Sequence, residues 1–136
     1  MVANKVSVRR LKPKEEIFAS IEKLVQEEQI KGGILMAMVG SLTEAHLRFA
    51  GQNEETILRG PFEIVAATGI AALSGSHIHI AISDGQGTTF GGHLMPGSLV
   101  YTTVELAVYD VSGQYTFGRE LCNESGYDEL TVKEVN

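Results

Sequence analysis

The sequence lacks most of the features that anchor a chain in a membrane or direct it out of the cell. Its single cysteine, Cys122, cannot form an intrachain disulfide, which fits a reducing compartment. No apolar run approaches the roughly 20 residues that a membrane-spanning helix needs. The N-terminal segment MVANKVSVRRLKPKEE also has no apolar block of the signal-peptide kind. These absences predict a soluble, cytoplasmic protein with no membrane partner.

Basic residues are also scarce. The chain has 11 Lys and Arg against 17 Asp and Glu, which gives a formal net charge of −6. Because surfaces that bind nucleic-acid phosphates concentrate Lys and Arg, this balance argues against nucleic acid as a direct partner. The glycine pairs follow no phosphate-binding spacing, and no serine or cysteine lies in a nucleophile motif.

The length of 136 residues suits a single domain. A chain of this size buries enough surface to fold without a disulfide or a structural metal, so any bound metal should serve function. We predict one domain over residues 1–136, with a core over about residues 5–121 and a poorly packed C-terminal tail over residues 122–136.

The hydrophobic pattern predicts one helix and many strands. Residues 5–11 alternate as a half-buried strand, and Pro13, Glu15 and Glu16 then suit the first turn of a helix that ends near Gly32-Gly33. Everything after it consists of short apolar or alternating runs, with a break expected near Gly60-Pro61 because proline cannot donate to a ladder. The fold class expected is α+β: a β-rich domain whose mixed or antiparallel, barrel-like sheet packs against one amphipathic helix.

Three of the four histidines lie in two neighbouring strand segments, HIHIAIS and TTFGGHL. His77 and His79 alternate with isoleucines, so they share one strand face, with Cα atoms about 6.5 Å apart. A three-residue loop, residues 85–87, places His93 directly opposite His79, whereas a two-residue loop would place His93 among the isoleucines. Because a one-residue slip buries polar groups and exposes isoleucines, we predict the three-residue loop, unless a bulge at Gly91-Gly92 changes the count.

This register brings three imidazoles together on one polar face. His77, His79 and His93, with small neighbouring residues and room for a fourth ligand, match a catalytic-type zinc site, and imidazole also suits iron, nickel or copper. The alternative is that the three are polar side chains on an exposed sheet face. We predict a metal site, with zinc or another divalent transition metal as the cofactor.

Two further polar residues interrupt strand patterns. Glu105 could be a general acid or base, a partner of a metal ligand, or part of an exposed sheet face, and the strand pattern alone favours the exposed face. Arg48 could hold an anion or pair with Glu44 or Glu105, although single arginines in strands are usually solvated.

The segments GSLTEAHLRFA, GPFEIVAATG, HIHIAISDGQGTTFGGHLMPGSLVYTTVELAV and GYDEL resemble the plants and prokaryotes conserved (PPC) domain in its free-standing prokaryotic form. The resemblance covers nearly the whole chain. It implies a homotrimer, a β-rich fold with a helix on the sheet, and metal ligation by His77, His79 and His93. In plant relatives the domain is joined to AT-hooks that bind DNA, whereas the domain itself assembles trimers and contacts other proteins. This sequence has no AT-hook.

The expected fold is also similar, more distantly, to that of the acetolactate decarboxylases. These zinc enzymes hold their metal with an H-x-H pair and a later histidine, and use a glutamate and an arginine nearby. That similarity implies Glu105 and Arg48 as catalytic residues. The leading hypothesis is a homotrimeric metal-binding module that recognises a small anion or a protein partner. The alternatives are a DNA-associated protein and a metal-dependent lyase or decarboxylase that acts on a small oxygenated acid.

Overall fold

Antiparallel strands make up most of the computed structural model, which describes residues 3–136. Eight strands and one helix follow in chain order: β1 Lys5–Leu11, α1 Ile17–Glu27, β2 Gly33–Arg48, β3 Thr56–Ala72, β4 Gly75–Ser83, β5 Thr89–Leu94, β6 Leu99–Asp110, β7 Tyr115–Leu121 and β8 Asp128–Glu134. Within the described residues, no helix has the length and apolar character that a membrane span requires.

Six of the strands form one sheet in the order β1-β6-β2-β3-β4-β5. The end of β2 also pairs with β5, where Leu47 lies opposite Leu94 and Arg48 lies opposite His93. This extra pairing closes β2, β3, β4 and β5 into a ring, so the sheet is barrel-like on one side and open on the other. The expected α+β class, with a β-rich sheet and one helix near the N-terminus, is confirmed.

The core lies between α1 and one face of the sheet. Ile17, Ile21 and Leu24 of the helix are buried together with Ile78 and Ile82 of β4. The helix begins four residues after Pro13, so the prediction that Pro13 lies in its first turn was wrong. Glu16 is instead the N-cap: its backbone is extended and bridges Leu99, and its carboxylate accepts hydrogen bonds from the amides of Phe18 and Ala19.

The expected break at Gly60-Pro61 was also wrong, because β3 runs without interruption from Thr56 to Ala72. The ladder with β2 shifts register at this point. Leu42 lies opposite Phe62 and Glu44 opposite Arg59, so two residues of β3 face one residue of β2. Such a bulge leaves one residue unpaired and therefore accommodates proline, which has no amide hydrogen to donate.

The chain ends in a separate hairpin. β7 and β8 pair with each other and with no strand of the main sheet. Phe117 of β7 is buried against Ala72 and Val111, which fixes the base of the hairpin. The segment after Cys122, expected to be a poorly packed tail, therefore contains β8, although most of the side chains of β8 are exposed.

Candidate metal centre

The β4–β5 hairpin has the register that the isoleucine pattern predicts. His79 lies opposite His93, and Ser83 lies opposite Thr89, across the loop of residues 85–87. The Asp84 carboxylate accepts hydrogen bonds from the amides of Gln86 and Thr88, both at 2.9 Å, and Gly87 takes a positive φ of 83° that favours glycine. Burying the isoleucines on one face thus fixes the position of the histidines on the other.

The three predicted histidines converge on that face. Ring nitrogens of His77, His79 and His93 all lie within 4.8 Å of one another, and the Nε2 atoms of His77 and His79 are 3.1 Å apart. The ring centroids are 4.8 to 5.6 Å apart. Three nitrogen donors this close can share one metal ion, so the residues present fit the cofactor that the sequence predicts.

The surroundings of the cluster favour the neutral form of His77 and His93. Burial, and then the neighbouring Arg48, His77 and His79, lower the pKa of His93 to about 4. Burial, and then the positive charges of His79 and Arg119, also lower the pKa of His77. A neutral imidazole is the form that coordinates a metal, so the lowered pKa values of His77 and His93 favour the metal-binding form of both side chains.

Arg48 is part of the same site. It lies opposite His93, and it lines a cavity of about 790 Å³ together with the three histidines, Gly92 and Tyr127. Arg48 therefore lies beside the three histidines, and its role as a partner of a metal stays a prediction. Its neighbours there are the histidines, and its guanidinium forms no ion pair with Glu44 or Glu105 within residues 3–136.

Glu105 lies elsewhere. It is exposed on β6, opposite Arg10 of β1 and Val39 of β2, and it lines neither of the cavities beside the histidines. Within one chain, the structure brings Arg48 but not Glu105 to the histidine cluster. The exposed sheet face that the strand pattern favoured for Glu105 is where this residue lies.

Sequence reasoning missed one wall of the site. The β7–β8 hairpin contributes Arg119, Tyr127, Asp128 and Glu129 to a second cavity of about 400 Å³, which also includes Arg48, His77 and His93. The segment GYDEL carried part of the family resemblance, but nothing in it, and nothing around Arg119, indicated a position beside the histidines, which lie at least 26 positions earlier in the sequence. Only the docking of the hairpin reveals them.

The fourth histidine is in a different environment. His46 is nearly buried, with its Nε2 atom 2.8 Å from the Glu44 carboxylate and its Nδ1 atom 3.2 Å from that of Glu55. Arg59 pairs with the other oxygen of Glu44. Burial lowers the pKa of His46, but hydrogen bonds to the two carboxylates outweigh it, and the pKa is raised overall.

These features define a β-rich domain with a three-histidine cluster, and the chain belongs to the PPC family. The model of the Plants and Prokaryotes Conserved (PCC) domain matches residues 2–112, which confirms the resemblance seen in the sequence. The match ends before β7.

The bifunctional protein GlmU of Synechococcus sp. (strain JA-3-3Ab) is 39% identical over 126 residues, covering 93% of this chain and 20% of that protein. The chain spans about a fifth of the length of the curated relatives it matches.

Several solved structures share the fold. A hypothetical protein from Salmonella cholerae-suis superposes with a TM-score of 0.94 at 39% identity, over 97% of this chain and 95% of that one. The metal-containing protein AF0104 from Archaeoglobus fulgidus has a TM-score of 0.77 at 24% identity, over 93% of each chain. A protein from Bacteroides thetaiotaomicron, named as a candidate DNA-binding protein, has a TM-score of 0.79 at 20% identity, over 95% and 96%. The last two likenesses establish the fold alone.

Proposed function

We propose that this chain is a metal-binding PPC-domain module in which His77, His79 and His93 hold one divalent transition metal ion, with zinc the best match. The observation that supports it is the convergence of three ring nitrogens within 4.8 Å beside a cavity. Three imidazoles that leave further positions open are a known ligand set for zinc. The Archaeoglobus neighbour is named a metal-containing protein, which also supports a metal site in this fold.

The cavity beside the histidines favours a small anion as the ligand of this module. When bound, the metal supplies a Lewis acid with positions open to oxygen ligands. The chain itself supplies Arg48, whose guanidinium can hold a carboxylate through two hydrogen bonds. The cavity of about 790 Å³ is within the range of small-molecule sites.

The second candidate is a metal-dependent enzyme that acts on a small oxygenated acid, and the position of Arg48 next to His93 favours it. Glu105, the acid or base that the similarity implies, does not reach the cavity within one chain. A screen of small hydroxy and oxo acids on zinc-loaded protein tests this function, with Glu105→Gln as the comparison. Turnover that survives Glu105→Gln and is lost with Arg48→Gln supports an enzyme without a role for Glu105.

DNA binding, suggested by the name of the Bacteroides neighbour, has less support. The net charge of −6 opposes phosphate binding, so we expect no complex at physiological salt. A salt-sensitive complex of nanomolar affinity would contradict this expectation.

We also propose that the module is a homotrimer, as the family resemblance implies. Directly paired residues form one row across five strands of the sheet: Val6, Tyr109, Ile34, Ile70 and His77. Val6 and Ile34 are exposed, whereas Tyr109 and Ile70 are half-buried against the base of the β7–β8 hairpin. Further exposed apolar side chains on β1 and β2 extend this patch: Val8, Met36 and Val39. The exposed charged residues Arg10 and Glu105 lie beside Val39 and limit the patch there. An apolar face of this extent favours burial against other copies of the chain, and the histidine cluster lies at its edge.

Elemental analysis of the purified, extensively dialysed chain tests the metal site. We expect about one zinc per chain, and a loss of affinity greater than about a hundredfold in His93→Ala, since even changes behind the ligands cost about 10–100-fold. His46→Ala is the matched control, because His46 lies outside the cluster. Full metal occupancy in His93→Ala would overturn the three-histidine assignment.

A further inference from the structure

Two guanidinium groups without partners line the cavity beside the histidine cluster. Arg48 ends β2 and Arg119 lies on β7, and both line the cavity of about 400 Å³ that includes His77 and His93. Both arginines are only partly exposed. Among the described residues, neither guanidinium forms an ion pair or a hydrogen bond. The three other arginines each do so: Arg9 with Glu28, Arg10 with Thr103, and Arg59 with Glu44.

The position of Arg119 follows from the way the hairpin is attached. Phe117, two residues earlier on the same face of β7, is buried, and its amide donates to the carbonyl of Lys31 at 2.9 Å. Its carbonyl accepts from the Ser74 hydroxyl, next to the start of β4, at 2.8 Å. These contacts fix the base of the hairpin beside the first residues of the histidine strand. Arg119 therefore has a defined place in the cavity wall.

The charge balance of the cavity favours an anion once the metal is bound. Asp128 and Glu129 line the same wall and offset the charges of the two arginines, but they do not pair with either. Glu129 instead accepts a hydrogen bond from Ser125 at 3.1 Å. A divalent ion held by three neutral imidazoles then adds two positive charges that the chain does not balance.

We propose that Arg48 and Arg119 together bind the two carboxylate groups of a small dicarboxylate in this cavity. A guanidinium matches a carboxylate through two parallel hydrogen bonds, so two guanidiniums on separate elements suit a ligand with two such groups. The volume of about 400 Å³ is suitable for a small molecule. The proposal rests on the proposed metal-binding function, because the metal ion supplies the excess positive charge.

Isothermal titration of the zinc-loaded full chain with succinate tests this assignment, with acetate and inorganic phosphate as comparison ligands. We expect succinate to bind about tenfold more tightly than either, since a charge-assisted hydrogen-bonded pair contributes roughly that factor. Arg119→Gln weakens succinate binding about tenfold. Lys133→Gln is the matched control: it removes a positive charge from the same hairpin, opposite Thr116, at a residue that does not line this cavity.

The zinc content of each sample distinguishes a failure of the dicarboxylate site from a failure of the metal site. If zinc is bound and Arg119→Gln binds succinate as well as the unchanged chain does, the dicarboxylate site is wrong and the metal site stands. The dicarboxylate site is also wrong if the zinc-loaded chain binds inorganic phosphate more tightly than succinate. A chain that binds no zinc contradicts the metal-binding function and this inference with it. If circular dichroism shows that Arg119→Gln is unfolded, Arg48→Gln provides the same comparison.

Discussion

His79 and His93 lie directly opposite each other on β4 and β5, with ring centroids 5.6 Å apart. Both side chains project from a backbone ladder whose other face is buried in the core. Sites on paired strands hold their ligands more firmly than sites on loops, because the ladder restricts the backbone. The backbone pairing alone therefore brings the two imidazoles together.

A preformed site predicts that zinc stabilises the fold. At a free zinc concentration 100 times the dissociation constant, binding adds about 2.7 kcal/mol to the free energy of unfolding. For a chain of this size the gain raises Tm by about 10 °C. Thermal denaturation with and without zinc measures the effect. His79→Gln should lose the response and His46→Gln should keep it. An equal zinc response in both variants would place the metal elsewhere.

The His46 cluster predicts a pH dependence of stability that is separate from the metal. The pKa of His46 is raised above 6.5, so its pairing stabilises the fold below pH 6.5 and is lost as the pH rises through the raised value. The hydrogen bond to His46 lowers the pKa of Glu44 from 4.5. The contribution of Glu44 to stability is therefore lost as the pH falls through this lowered pKa.

We therefore expect the stability advantage of the unchanged chain over His46→Gln to be largest between pH 4.5 and 6.5. The difference should shrink toward pH 8, because His46 loses its proton as the pH rises through its raised pKa. Urea denaturation at pH 5.5 and pH 8 measures it. A difference that grows with pH would show that His46 is stabilised in its neutral form.

Gly40 lies at a close approach between β2 and β6. Its φ is 153°, and a Cβ added there would come within 2.0 Å of the Thr103 carbonyl oxygen. Gly40→Ala therefore requires backbone movement and should cost more than about 2 kcal/mol. Gly85→Ala is the control, since nothing lies within 4 Å of its added Cβ, and should change stability by less than about 0.5 kcal/mol. Equal urea midpoints for the two variants would contradict the packing described here.

The apolar sheet face predicts a variant that dissociates the proposed trimer. Val39 is 55% exposed within one chain, so Val39→Lys should fold as a monomer while placing a charge in the proposed interface. Light scattering coupled to size-exclusion chromatography measures the mass, and circular dichroism confirms folding. Val132→Lys on β8, at a position 52% exposed, should remain a trimer. A folded Val39→Lys trimer would exclude this face as the interface.

The histidine register could be predicted because it depends on local alternation. Ile78, Ile80 and Ile82 must all enter the core, and only the three-residue loop allows this while keeping His93 on the face of His79. A single hairpin contains all the information that this prediction needs, so neither the ring closure nor the helix had to be known.

Features that depend on distant pairing could not be predicted. Pro61 fits inside β3 because the facing strand, β2, shifts register there, and nothing near Pro61 in the sequence encodes that shift. Arg119 reaches the site because Phe117 docks on Val111 and Ala72, a contact that sequence periodicity does not show. The sequence pattern likewise left the place of Glu105 relative to the histidines open.

The separation of the β7–β8 hairpin from the main sheet divides the site into two parts that can evolve at different rates. The ladder that aligns the histidines lies within residues 2–112, which the family model matches, whereas Arg119 and Tyr127 lie beyond that range. Neither strand of the hairpin pairs with β4 or β5. Relatives could therefore keep the same three histidines and exchange the terminal hairpin, which would change the wall of the cavity and leave the histidine strands as they are.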